Sequence, residues 1–179
     1  MFTMQKWQLQ MMVLSHMQHQ SQFHGAVSLS ADPEGDTTPF YADNVVYYTT
    51  TANNGYSGDL EVAMIPDTFL TDILGQVTDT NGALFEANDD VNSPFALMLQ
   101  IDGDKKNRRV CYYNCTAQRP SAEANTTEDT KEPQTDTISI TMAPRTTDKL
   151  VKCVMELTED NATAYNNFFT AVYEKTASV

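Results

Sequence analysis

The side chains able to do chemistry are few and unevenly placed. Three cysteines, Cys111, Cys115 and Cys153, could supply a nucleophile or soft metal ligands. Three histidines, His16, His19 and His24, could supply a base or imidazole ligands, but no acid or cysteine lies among them. Beyond residue 24 there is no histidine at all, so the remainder holds neither a Ser–His nor a Cys–His couple. Cys111 and Cys115 lie four residues apart on an extended segment, which would set their sulfurs about 13 Å apart, too far for a disulfide or a shared zinc ion. They read as small apolar core residues. No Gly-x-Ser-x-Gly motif and no phosphate-cradling glycine loop occurs. Tyr41, Tyr47, Tyr48, Tyr112 and Tyr113 could stack bases or sugars. Where they form adjacent pairs on strands, one of each pair should face the core. No catalytic, cofactor-binding or metal-ligating residue is expected, and the chain is not expected to be an enzyme.

Bulk properties narrow the remaining classes. A chain of 179 residues suffices for one domain with a core. A net charge of −13 argues against a grip on nucleic acid, which needs Lys and Arg on phosphates. It is compatible with a wall past which nucleic acid slides. The odd cysteine count and the lack of a secretory apolar stretch argue against a disulfide framework. No run reaches the length of a membrane span. Synthesis in a cytoplasm is expected.

The elements are mostly strands. Residues 53–75 carry a turn, a strand, a helix and a stop. Asn54-Gly55 is a turn signal, and a hairpin is expected between residues 45–51 and 56–65. Leu60, Val62 and Met64 should face the core, with Asp59 and Glu61 opposite. Pro66 ends the strand, Asp67 is placed to cap a helix carrying Phe69, Leu70, Ile73 and Leu74 on one face, and Gly75 suits its end. Residues 31–39 read as a loop. Leu84 and Phe85 should pin a polar stretch to the body. Residues 95–101, 109–117, 137–142 and 150–157 read as strands, with Cys111, Tyr113 and Cys115 on one face and Val110 and Tyr112 on the other. Residues 119–136 form a long acidic loop, and residues 168–173 should close on the core.

Several of these stretches resemble the major tail proteins of long-tailed, non-contractile phages and prophages, in the phi-thirteen-like group. The resemblance rests on residues 25–30 (Gly-Ala-Val-Ser-Leu-Ser), 32–44 (Asp-Pro-Glu-Gly-Asp-Thr-Thr-Pro-Phe-Tyr-Ala-Asp-Asn), 53–70, 112–121 and 166–173. It implies a mainly β fold: a β-sandwich or partly closed barrel with one short flanking helix. It implies a structural virion protein that forms stacked, hexameric rings. The tube so made would surround the tape-measure protein, meet other tail proteins and pass DNA without specific binding. No cofactor and no membrane is implied, and the site would be the virion tail. Asp59 and Glu61 are candidates for the lumen wall. Asn54 and Gly55, and Glu123, Glu128, Asp129 and Glu132 in the long loop, are candidates for contact between subunits. The rival class is a monomeric β-sandwich binding module for sugar or protein.

Residues 25–179 carry this tail-tube text; residues 1–24 do not. The first segment holds no acid, the only tryptophan (Trp7), and six of the ten glutamines. It is suggestive when read from the third base of each codon. Met1–Phe2 then encodes valine, and Met4–Gln5, Trp7–Gln8 and Met17–Gln18 each encode alanine. Met11–Met12 encodes aspartate and Met12–Val13 glycine, a hairpin turn between two runs that allowed codons make β-rich. The segment therefore reads as a family hairpin translated out of frame. As translated, it should form no well-packed hairpin and should leave the body without a partner strand there.

Overall fold

The computed structural model describes residues 9–15, 20–42, 45–101, 104–121 and 135–176. Its strands are β1 (Leu9–Ser15), β2 (Gln20–Leu29), β3 (Asp32–Glu34), β4 (Thr37–Ala42), β5 (Val45–Thr51), β6 (Gly55–Val62), β7 (Val77–Thr78), β8 (Leu84–Phe85), β9 (Phe95–Gln100), β10 (Arg109–Ala117), β11 (Asp136–Met142) and β12 (Lys152–Met155). Two short helices join them, α1 (Asp67–Asp72) and α2 (Ala162–Asn166). The architecture is the mainly β, barrel-like one with a short helix that the resemblance implied.

Strand pairing runs in a cycle. β6 pairs with β11, β11 with β10, β10 with β9, β9 with β1, β1 with β2, and β2 with β6 again, all antiparallel. The β10–β11 ladder spans only Cys115, Thr116 and Ala117, so this barrel is partly closed. β3 extends the sheet beside the first residues of β6, and β12 beside the first residues of β10.

Two apolar clusters hold the strands. The first contains Leu60, Val62, Phe95, Leu97, Leu99, Ile138, Ile140 and Met142, to which α1 adds Phe69 and the turn after it adds Ile73 and Leu74. Phe69 meets Phe95 edge to face at 5.7 Å. The second lies on the other side of β9 and β10 and contains Met98, Cys111, Tyr113, Met155, Tyr165, Phe168 and Phe169. β9 thus has an apolar cluster on each face, which is why Phe-Ala-Leu-Met-Leu is a continuous apolar run rather than an alternating one.

Several sequence expectations need correction. β5 pairs with β4 and not with β6, so Asn54-Gly55 does not close the expected hairpin. β3 and the start of β4 occupy part of the expected 31–39 loop. Met64 is 71% exposed because the strand ends at Val62 and the chain bends, bringing Ile65 inward instead. Pro66, not Asp67, holds the helix N-cap position, with extended backbone and no side-chain cap. Phe85 is 57% exposed, within the small β7–β8 sheet. Cys115 leaves the face of Cys111 and Tyr113. A bulge between Tyr112 and Cys115 inserts one residue opposite β9, which flips the side chains that follow.

The described part of the first segment, residues 9–15 and 20–24, corrects one further expectation. β1 pairs with β9 through six residues and with β2 on its other side, so the body does not lack a strand there. Ladder bonds belong to the main chain and are available to any non-proline sequence. β1 also runs straight through residues 11 and 12, where the shifted reading has its turn.

Candidate functional site

The outer wall of the barrel, opposite the first apolar cluster, carries a regular array of hydroxyls and carboxylates. It arises from strand alternation: Leu60 and Val62 point into the core, so Asp59 and Glu61 point away. Register then sets their neighbours. Thr137 lies opposite Glu61, Ser139 opposite Asp59, and Thr141 opposite Ser57. Thr116 extends the row from Thr141, Ser28 faces Glu61 from β2, and Asp32 faces Ser57 from β3.

Neutral donors hold the carboxylates. Ser139 Oγ donates to Asp59 Oδ1 at 2.7 Å. Glu61 accepts from Ser28 Oγ at 3.0 Å and from Thr135 Oγ1 at 2.8 Å. Ser57 Oγ donates to Glu34. β2, β3, β6 and β11 contain no lysine or arginine. Among the described residues, these four strands can therefore accept hydrogen bonds and repel anions, and they offer no Lys or Arg on which a phosphate could lodge.

A second feature projects from this wall. β4 and β5 pair only with each other, Thr37 opposite Thr51 and Ala42 opposite Val45. The ladder is continuous with the barrel, since Ala52 N–H donates to Asp36 O and Asn54 N–H to Glu34 O, both at 2.9 Å. A ribbon from residue 34 to residue 42 spans about 26 Å at strand rise. Thr37, Pro39, Thr49 and Thr51 are exposed on it. An isolated two-stranded ribbon is marginal in water. Asn54 and Gly55 sit at its root. Gly55 has φ +105°, and a Cβ there would stand 2.0 Å from Met142 O. Glu123, Glu128, Asp129 and Glu132 lie outside the described residues, as do His16 and His19.

The titratable groups of the interior offer no ready nucleophile at neutral pH, where their deprotonated forms are scarce. Burial pushes the Cys111 thiol up to about 12 and raises Cys115, Cys153 and Tyr113 as well. Among the described residues no three His, Cys, Asp or Glu side chains converge as a metal site.

Sequence reasoning missed two latches that hold the C-terminal segment. Arg109 stacks on Tyr165 at 3.9 Å and on Phe169 at 4.7 Å, and donates to Gln100 Oε1 and Tyr165 O. Arg145 bonds both Asp148 and Glu174 and lies 4.7 Å from the Tyr113 ring, while Tyr113 Oη donates to Tyr173 O. A lone arginine in sequence carries no sign of such a distant partner. The ribbon did leave a signal: β-rich runs flank Asp43-Asn44, a turn pair.

Comparisons with known proteins bear on what such a molecule is for. A family model described as "Phage tail tube protein" matches residues 32–177. No curated protein matches the chain. Among solved structures, the chain is similar to one from the cryo-EM structure of the anti-feeding prophage cap, a tube-terminating cap. The TM-score is 0.51 at 9% identity, covering 82% of this chain and 88% of that one. It is also similar to a chain of the sheath–tube complex of an extracellular contractile injection system, PVC, in its extended state. There the TM-score is 0.50 at 12% identity, with 82% and 88% covered. At such identities the likeness is one of fold. The family match spans most of the chain, and the protein belongs to the phage tail tube protein family.

Proposed function

We propose that this protein is a structural, non-catalytic subunit of a phage tail tube. It closes into hexameric rings that stack into a tube, encloses a tape-measure protein, meets other tail proteins, and later passes DNA. It is made in the host cytoplasm and resides in the virion tail. The observation that carries the DNA-conducting part is the acidic wall around Asp59 and Glu61, built on four strands without Lys or Arg, which we assign to the lumen. A polyanion moving past such a surface meets repulsion without local trapping. The β4–β5 ribbon and residues 119–136 supply contacts between subunits: the ribbon needs a partner surface to be stable, and the loop is too long for a mere connector.

Electron microscopy of the purified protein tests this reading. Rings or tubes with a central channel are expected, with Asp59 and Glu61 on the channel wall. A compact monomer at every concentration by size exclusion and negative stain would overturn it. A tube map with these two side chains on the outer surface would remove the lumen assignment alone.

A further inference from the structure

Cys111 and Cys153 stand directly opposite each other in the β10–β12 ladder. Side chains in register across an antiparallel pair share a face. Both belong to the second apolar cluster, Cys111 fully buried and Cys153 packed at its margin. Tyr113 N–H donates to Val151 O at 3.1 Å, so 113/151 is a hydrogen-bonded pair, and 111/153, two residues along each strand, is of the same kind. Such pairs have Cα atoms about 5.5 Å apart, inside the range of about 4.4–6.8 Å that a disulfide spans, while their Cβ atoms, about 5.5 Å apart, must close by about 1 Å, which strains the bond and keeps it readily reducible. Cys115, displaced by the bulge, lies in the other cluster and cannot compete. The structure holds all three as free thiols.

We infer that Cys111 and Cys153 form an oxidation site, closing to a cross-strand disulfide when the folded protein meets a small-molecule disulfide. Cys153, the more exposed of the two, reacts first. Its thiolate attacks one sulfur of the small disulfide, forming a mixed disulfide and releasing one small thiolate. Cys111 then loses its proton and attacks Cys153 Sγ, releasing the second small thiolate. Two protein thiols are oxidised, and one small disulfide is reduced to two thiols. Burial of Cys111 makes the second step slow, so the bond belongs to the oxidising side of the molecule's life rather than to its folding. A tail subunit passes from a reducing cell to an oxidising medium. That occasion rests on the tail reading; the thiol chemistry does not.

The staple would reinforce a short strand contact. β12 is four residues long and pairs with β10 alone, and the C-terminal segment packs on it. Joining 111 to 153 ties this module to the barrel.

The test uses the full-length protein. It is incubated with oxidised glutathione at pH 8, the remaining thiols are alkylated, and mass spectrometry follows. One alkylated thiol, at Cys115, and a linked 111–153 peptide pair are expected. The midpoint of thermal unfolding should rise by roughly 5–10 °C, reversed by reductant. In Cys111→Ser, Cys153 should instead keep a glutathione adduct. Three alkylated thiols after prolonged oxidation of folded protein would overturn the inference. So would a 111–153 link that forms only in denaturant, or one that involves Cys115.

Discussion

Arg145 shows how one side chain sets a pH response. Its hydrogen bonds hold Asp148 down to about 2, from an ordinary 3.8, and hold Glu174 below its ordinary 4.5. Both carboxylates are depressed in the folded protein, so their contribution is full above the unfolded values and disappears as pH falls through the folded ones. The window runs from about pH 5 down to about pH 2. Arg145→Met should lower the unfolding temperature at pH 7 by a few degrees and flatten its decline across that window, read by calorimetry at several pH values. Gly55 offers a steric prediction. Gly55→Ala drives a Cβ into Met142 O and strains a positive φ, for a loss of about 2–4 kcal/mol. Gly82→Ala, with positive φ but open space, should cost about 1 kcal/mol in the same urea titration. Much at this scale was legible in the sequence. Leu60 and Val62 face inward, Phe69 of α1 and Ile73 and Leu74 of the turn after it are buried together, and Gly75 ends that turn at φ +79°. The side switch at Cys115 was not legible, because a bulge adds a residue without altering the types around it.

The longer strands beyond residue 44 followed from local pattern, but their pairing did not. Asn54-Gly55 is a genuine bend, yet it turns the chain from ribbon into barrel instead of folding β5 onto β6. β6 finds β11, β2 and β3, and nothing local to β6 names those partners. The opposition of Cys111 and Cys153 was hidden for the same reason. The ribbon can be tested as a unit. Replacing residues 39–49 by a two-residue turn should leave the barrel folded by circular dichroism while abolishing tube formation in negative stain. The segment 1–24 has a test of a different kind. We propose that it is encoded by a family hairpin read in the wrong frame, with one surplus base near the codon for His24. The gene's nucleotide sequence should then read as an open, β-rich hairpin in the shifted frame leading into Gly25; a stop codon there ends the idea.

At the scale of the whole molecule, charge and assembly meet. Reversing Asp59 and Glu61 together to lysine places cations on the proposed channel wall. Tubes should still form, but DNA passage should slow and become salt-dependent, as measured by ejection from particles carrying the variant. Deleting residues 123–132 should leave a folded monomer that no longer builds tubes. The class and outline of the fold were legible because long motifs and alternation are sequence properties; ring geometry is a property of several chains and leaves no periodicity in one. The cycle of strand pairing has a further consequence, for time. The β1–β9 and β6–β11 ladders both join residues about eighty apart in sequence, so their loop-closure entropy must be overcome before either rewards the chain. Refolding should therefore take milliseconds to seconds. During that interval β6 presents a bare edge that a neighbour's strand can fill as readily as its own β11. Yield on refolding should fall as concentration rises, and a nascent chain released before residue 142 should aggregate rather than wait.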